Sequence, residues 1–192
     1  MTPILLIGGG GHCVSVIDVI EQEGRFEIGG IIDRPERIGS IVSGYEIIGS
    51  DADLTRLCKH YRHALITVGQ IASPTLRISL FEQAKQFGFI LPSIVSPRAY
   101  VSRHAYVAEG TVIMHDALIN ANASLGANCI VNTRALIEHD SIVEAHCHIA
   151  TGAIINGGVT VKQGCFIGSG AVSKEGITIE AYRVIKAGSV VT

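Results

Sequence analysis

From Ala99 to Gly188 the chain can be written in groups of six without an insertion, beginning AYVSRH, AYVAEG, TVIMHD, ALINAN and ending RVIKAG. The third place is Val, Ile or Leu in fourteen of these fifteen units, Ser173 being the exception, and the first place is mostly Ala, Ser, Thr or Cys. A small and an aliphatic residue two apart share a side only on an extended strand. A six-residue period of such strands is the pattern of a parallel β-helix, three hexads to each triangular coil. Fifteen hexads predict five coils. The second place should point outward, yet it holds Tyr100, Val112, Leu118, Leu136 and Ile154 among other apolar residues. Walls this apolar exceed what a soluble monomer exposes, and a threefold prism closes naturally as a cyclic trimer. The expected partner is therefore a second and third copy of the chain, a homotrimer.

Before the hexads the pattern changes. Pro3–Ile7 is a short apolar run, Cys13–Glu23 has helical spacing, and Glu27–Asp33 is a second strand. Asp51 is expected to cap a helix that runs to Cys58, followed by a strand over His63–Val68 and a helix over Pro74–Phe87. Strands alternating with helices imply a parallel α/β sheet. The chain thus divides into a small Rossmann-like α/β domain, residues 1–95, and a β-helix domain, residues 96–192.

Composition narrows the class. Of 192 residues 47% are apolar and 17% charged, the reverse of a disordered chain. A net charge of −2 and a pI near 6.4 argue against nucleic acid as a partner. Mean hydropathy is high at +0.39, but no apolar run reaches the length of a membrane span. The N-terminal run lacks the basic flank of a signal peptide. These features predict a soluble, cytoplasmic protein with reduced cysteines. Cys129, Cys147 and Cys165 are 18 residues apart and stack on successive coils. At first places they are expected to be inward packing residues rather than nucleophiles or ligands.

Two stretches carry candidate chemistry. Gly8-Gly9-Gly10-Gly11-His12 follows the first strand, where bare backbone N–H groups can approach a phosphate at a helix N-terminus. The other reading is a turn that merely lets strand and helix pack closely. Asp33, 22 residues beyond Gly11, stands where an acid usually bonds a ribose hydroxyl. A full dinucleotide signature would need Gly at Cys13, so a mononucleotide or nucleotide sugar fits better than NAD. In the hexads, Glu138-His139-Asp140 sets an imidazole beside carboxylates, and an adjacent acid suits a histidine to general-base work. His148 lies nine residues on, half a coil away and on a different wall, so the two can meet only across a subunit interface. His139, His146 and His148 also have permissive spacing for zinc shared between subunits, which would imply a lyase resembling β-helical carbonic anhydrases. His60, His63, His104 and His115 read as ordinary surface histidines.

The glycine-His opening, the Ile-Ile-Asp strand, Ile-Gly-Ser-Asp at 48–51 and Asn-Thr-Arg-Ala-Leu-Ile-Glu-His-Asp at 132–140 resemble the PglD/NeuD family of bacterial sugar O- and N-acyltransferases over essentially the whole chain. The resemblance implies a left-handed β-helix, acetyl-CoA as acyl donor and no metal. It implies N-acetylation of a UDP-linked 4-amino-4,6-dideoxy sugar in glycan biosynthesis, or GDP-perosamine in some relatives. The alternative branch acetylates hydroxyls of sialic acid. A non-catalytic nucleotide-sugar-binding subunit is a third possibility. By position, the resemblance makes His139 the general base supported by Asp140. It places His148, Gly157, Ser169 and Ala187 along the cofactor, and Gly10, Gly11, His12, Asp33, Arg34 and Gly69 against the nucleotide. Asp140 favours the N-acetyltransferase branch.

Overall fold

In the computed structural model, which describes residues 1–192, the first apolar run forms β1 (Thr2–Ile7), followed by α1 (Gly11–Glu23) and β2 (Phe26–Ile32). A hairpin of β3 (Ile41–Val42) and β4 (Tyr45–Gly49) comes next, then the short α2 (Leu54–Leu57), β5 (His63–Ile66) and α3 (Thr75–Gln86). The sheet order is β3-β4-β2-β1-β5, with β4, β2, β1 and β5 parallel and β3 antiparallel to β4. Ile4 to Ile7 are buried because both sheet faces are covered, which is why β1 reads as a continuous rather than an alternating apolar run. The chain reverses its direction across the sheet at β1, since β2 lies on one side and β5 on the other. In open α/β sheets that switch point, at the carboxyl ends of the strands, is where ligands bind.

Two expectations for this half are corrected. Ser50, not Asp51, caps the turn before α2: its backbone N–H bonds Asp53 Oδ2 at 2.9 Å and its side chain completes a capping box. The β3–β4 hairpin was not anticipated. Ile41-Val42 is too short a run to stand out, and Ser43 takes the positive φ (47°) that hairpin turns usually assign to Asn or Gly.

Two compact units emerge, Met1–Gly69 with Leu76–Pro92, and Ser93–Thr192 with Gln70–Thr75. In the second, two-residue strands pair in parallel with the strand one coil on, as in Leu118↔Leu136↔Ile154, building three walls. The hexad frame reaches one rung further back than Ala99, because Ser93 and Val95 fill a first and a third place and Ile94–Val95 is already a rung. Third-place aliphatics and first-place small residues form the interior, Cys129, Cys147 and Cys165 among them. Those thiols donate to the carbonyls of Glu144, Lys162 and Glu180 at 3.0–3.2 Å. The flanking thiols and burial push the Cys147 thiol far up, so it is inert as a nucleophile. Ser173 is tolerated inside because its hydroxyl accepts the backbone N–H of Asn156 at 2.9 Å. The sixth place turns each corner. From Gly110 to Gly188 every sixth-place residue has a positive φ, hence its Gly, Asn and Asp.

The walls differ outside. The first presents Val112, Ile130 and His148, all buried within the single chain. The third alternates Ser124, Thr160 and Thr178 with Tyr106 and Ile142. Only the second is apolar throughout and open, through Tyr100, Leu118, Leu136, Ile154, Val172 and Val190. The expectation of apolar walls awaiting partners therefore narrows to one.

Candidate active site

His139 and Asp140 occupy the fifth and sixth places of the corner that ends the second wall. Asp140 is left-handed (φ 60°), which turns its carboxylate back so that Oδ2 accepts from His139 Nδ1–H at 2.7 Å. Nε2 is thereby the free, basic nitrogen of an exposed ring. That hydrogen bond, with the charges of Asp140 and Glu138, raises the His139 pKa above the usual histidine range. Reciprocally, the bonds to His139 and Asn122 hold Asp140 below the usual carboxylate range. The neighbouring coils complete the corner. Below, Asn120 Nδ2 donates to Glu138 Oε2 at 2.7 Å, and Asn122 Nδ2 to Asp140 Oδ1 at 3.2 Å. Above, Gly157 leaves the ring its space: a Cβ there would lie 3.0 Å from both Nε2 and Cε1 of His139. Asn120 and Asn122 were missed as supports in the sequence. An 18-residue offset from the dyad was the signal that would have found them.

A second His–Asp pair is the internal control. His115 and Asp116 occupy the same hexad places, yet His115 Nδ1 pairs with Ser96 Oγ at 2.7 Å and Asp116 receives Arg98 through Nε and Nη2 at 3.2 and 2.8 Å. There the carboxylate is paired with a cation and the imidazole with a hydroxyl.

His148 is enclosed on the first wall. Its Nδ1–H donates to the Gln70 carbonyl at 2.6 Å, its Nε2 accepts from Asn132 Nδ2 at 3.2 Å, and Phe166 packs edge-on with centroids 5.2 Å apart. The neutral ring thus has no spare N–H for an oxyanion. Ser169 and Ala187 are exposed on one corner, a coil apart, with Gly188 N–H bonded to the Ser169 carbonyl at 2.9 Å. Nothing lies within 4 Å of a Cβ built on Gly170 or Gly188, so this corner is open at both glycines. Within one chain it stands on a different prism edge from His139 and Gly157. His146 pairs with Asn128 through Nδ1 at 3.0 Å, and no three His, Cys, Asp or Glu side chains converge to hold a metal within the chain.

In the α/β unit the glycines separate into two kinds. Gly8 (φ 110°) is pressed against Val68, and a Cβ on Gly9 would meet Asp33 Oδ2 at 2.8 Å; these two serve packing. Gly10 and Gly11 face open space, and Gly69 has only the His12 Cβ near it, at 3.5 Å. The Asp33 carboxylate is already engaged. Oδ2 takes Gly9 N–H at 3.0 Å and the Arg37 guanidinium, which also reaches the Gly9 carbonyl, and Oδ1 takes Arg34 N–H at 2.8 Å. These bonds brace the glycine loop. Arg37, four residues on, was not foreseen. Arg34 is open to solvent beside Glu36.

Comparison with known proteins now adds to this geometry. Residues 3–84 match the model of the PglD N-terminal domain. A histidine-to-asparagine mutant of perosamine N-acetyltransferase from Caulobacter crescentus, solved with CoA and GDP-perosamine, is 30% identical with a TM-score of 0.93, covering 100% of this chain and 89% of that one. The acetyltransferase domain of PglB from Neisseria gonorrhoeae is 29% identical with a TM-score of 0.90, covering 100% and 92%. The same domain solved with acetyl coenzyme A is 29% identical with a TM-score of 0.88, covering 98% and 92%. No curated protein sequence matches significantly. Fold and likeness define a hexapeptide-repeat acetyltransferase, an α/β unit followed by a left-handed parallel β-helix. The chain belongs to the PglD/NeuD family. None of its helices is long and apolar enough to cross a membrane.

Proposed function

We propose that the protein is a cytoplasmic, homotrimeric N-acetyltransferase that moves the acetyl group of acetyl-CoA to the amino group of a nucleotide-linked 4-amino-4,6-dideoxy sugar. The observation that carries this reading is the His139–Asp140 dyad: an exposed imidazole, its Nδ1 held by a carboxylate, at the corner that ends the apolar wall. Solved relatives that bind CoA with GDP-perosamine, or acetyl-CoA, support the two substrates. The corner around Ser169, Gly170 and Gly188 is a candidate seat for a pantetheine arm, because Gly170 and Gly188 face open space. His148, bonded to the Gln70 carbonyl and to Asn132, holds its own wall in shape.

In this mechanism His139 Nε2 takes the proton that the amine loses as nitrogen attacks the thioester carbonyl, and returns it to the departing thiolate. Asp140 stabilises the imidazolium formed between these steps. Because His148 has no free N–H, backbone amides are left to stabilise the developing oxyanion. Gly10 and Gly11 offer backbone N–H groups to the diphosphate, with His12, Arg34 and Gly69 around it and Asp33 bracing the loop. The test is thiol release from acetyl-CoA with UDP- and GDP-linked 4-amino sugars and with free sialic acid, the product weighed by mass spectrometry. An N-acetylated nucleotide sugar is expected. Turnover of sialic acid alone, or binding without turnover, overturns the reading.

Two further outcomes follow from the geometry. Gly157→Ala should displace the His139 ring and lower kcat about 10-fold or more with little change in KM for either substrate, since small misplacements of a reacting group are costly. Asp33→Ala should instead raise KM for the nucleotide sugar about 10-fold while sparing kcat, because it removes charge-assisted hydrogen bonds that shape the loop. Steady-state kinetics separates the two.

A further inference from the structure

We propose that Asn122 is a positioning residue of the His139 corner: it holds one oxygen of Asp140 from the coil below without neutralising it, and so reserves the other oxygen for His139. This rests on the reading of His139 as the base. Asn122 Nδ2 donates to Asp140 Oδ1 at 3.2 Å while Oδ2 is bonded to His139 Nδ1 at 2.7 Å. Asn122 and Asp140 are both left-handed, each at φ 60°, and one coil apart, so their side chains leave the corner in parallel.

The comparison within the chain isolates the effect. Beneath Asp116, in the equivalent place, stands Arg98; it pairs with the carboxylate, and His115 turns its Nδ1 to Ser96 instead. At Asp116 the residue below is a cation that takes both carboxylate oxygens, whereas at Asp140 it is a neutral amide on Oδ1 alone. The charged groups around His139 are few. Glu138 and Asp140 share its corner, the coil below brings only Asn120, Ala121 and Asn122, and the coil above only Asn156, Gly157 and Gly158. Lys174 and Glu175 stand two coils above, Arg103 and His104 two coils below. An orienting amide therefore acts on the dyad with little competition.

The experiment compares Asn122→Arg and Asn122→Asp with the unmodified enzyme. Both side chains already occupy the left-handed sixth place elsewhere, as Arg134 (φ 59°) and Asp116 (φ 57°), so the coil accepts them. Titration of the His139 ring by NMR, assigned by its loss in His139→Ala, is read beside the pH profile of kcat/KM. Asn122→Arg should lower the His139 midpoint, carry the acidic limb to lower pH and reduce the plateau about 10-fold, as the loss of an orienting partner does. Asn122→Asp adds a negative charge and should raise the midpoint and the limb. Midpoints that stay put, or that move the same way in both variants, overturn the inference. Opposed midpoints with unchanged turnover would leave the positioning role standing and sink the assignment of His139 as base.

Discussion

Replacing His139 by alanine is expected to lower kcat by ~10²–10⁴-fold, the range that removal of a general base costs. Substrate affinity should change little, because the proposed role of this ring is proton transfer rather than binding. Asp140→Asn should cost less. Asparagine tolerates the left-handed corner and keeps a polar partner for the imidazole, but removes the charge that supports its protonated form. The sign of the pH effect follows directly. With His139 as the base its neutral form is the competent one, and the hydrogen bond it donates to Asp140 raises its pKa, so the acidic limb of kcat/KM is expected above that of an isolated histidine. Removing the charge lowers that pKa, and the limb moves to lower pH. A His139→Ala enzyme with near-normal turnover across about pH 6 to 8, where a histidine base titrates, would refute the assignment. So would an Asp140→Asn limb that moves to higher pH.

The β-helix was legible because its rule is strictly local. A third-place aliphatic and a first-place small residue must point inward in every hexad, so the register from Ala99 to Gly188 reads directly from the chain. Ser173 broke the pattern without breaking the fold, since the Asn156 N–H supplies the partner that its buried hydroxyl needs. The dyad was legible too, as two neighbours in one hexad. What could not be read was the vertical relation. The residue that meets each Asp carboxylate from one coil below, Asn122 in one case and Arg98 in the other, differs in charge. A dipeptide motif carries no information about that residue. The glycine run shows the same limit: Gly8 and Gly9 answer to Val68 and Asp33, and only Gly10 and Gly11 open outward. Asp33 could be recognised as an acid at a strand end, but Arg37 and Gly9 N–H, which engage it, come together only in three dimensions.

Charging the open wall is expected to remove activity altogether, even though no residue of the dyad is altered. Leu136 and Ile154 lie in the middle of the only continuous apolar wall, and its outermost members Tyr100 and Val190 are 60% and 74% exposed. A stripe of this kind on a single chain calls for a partner. The rung at Leu136–Ile137 runs straight into Glu138-His139-Asp140, so a second copy seated on the wall would lie beside His139. Within one chain the bare Ser169–Ala187 corner stands on another edge, and a neighbour could bring its own copy of that corner to His139. Leu136→Lys with Ile154→Lys should therefore yield a folded monomer by light scattering, since outward second places elsewhere accept Ser124 and Thr160. That monomer should release no thiol from acetyl-CoA. A mixing experiment then separates shared sites from mere stabilisation by assembly. His139→Ala chains and Ser169→Trp chains, each inactive alone, are unfolded together and refolded. If every site takes its base from one chain and its groove from the next, random assortment in trimers leaves about a quarter of the sites intact. Activity near that fraction is expected. No recovery from well-formed mixed trimers would place base and groove in the same chain and refute the shared site.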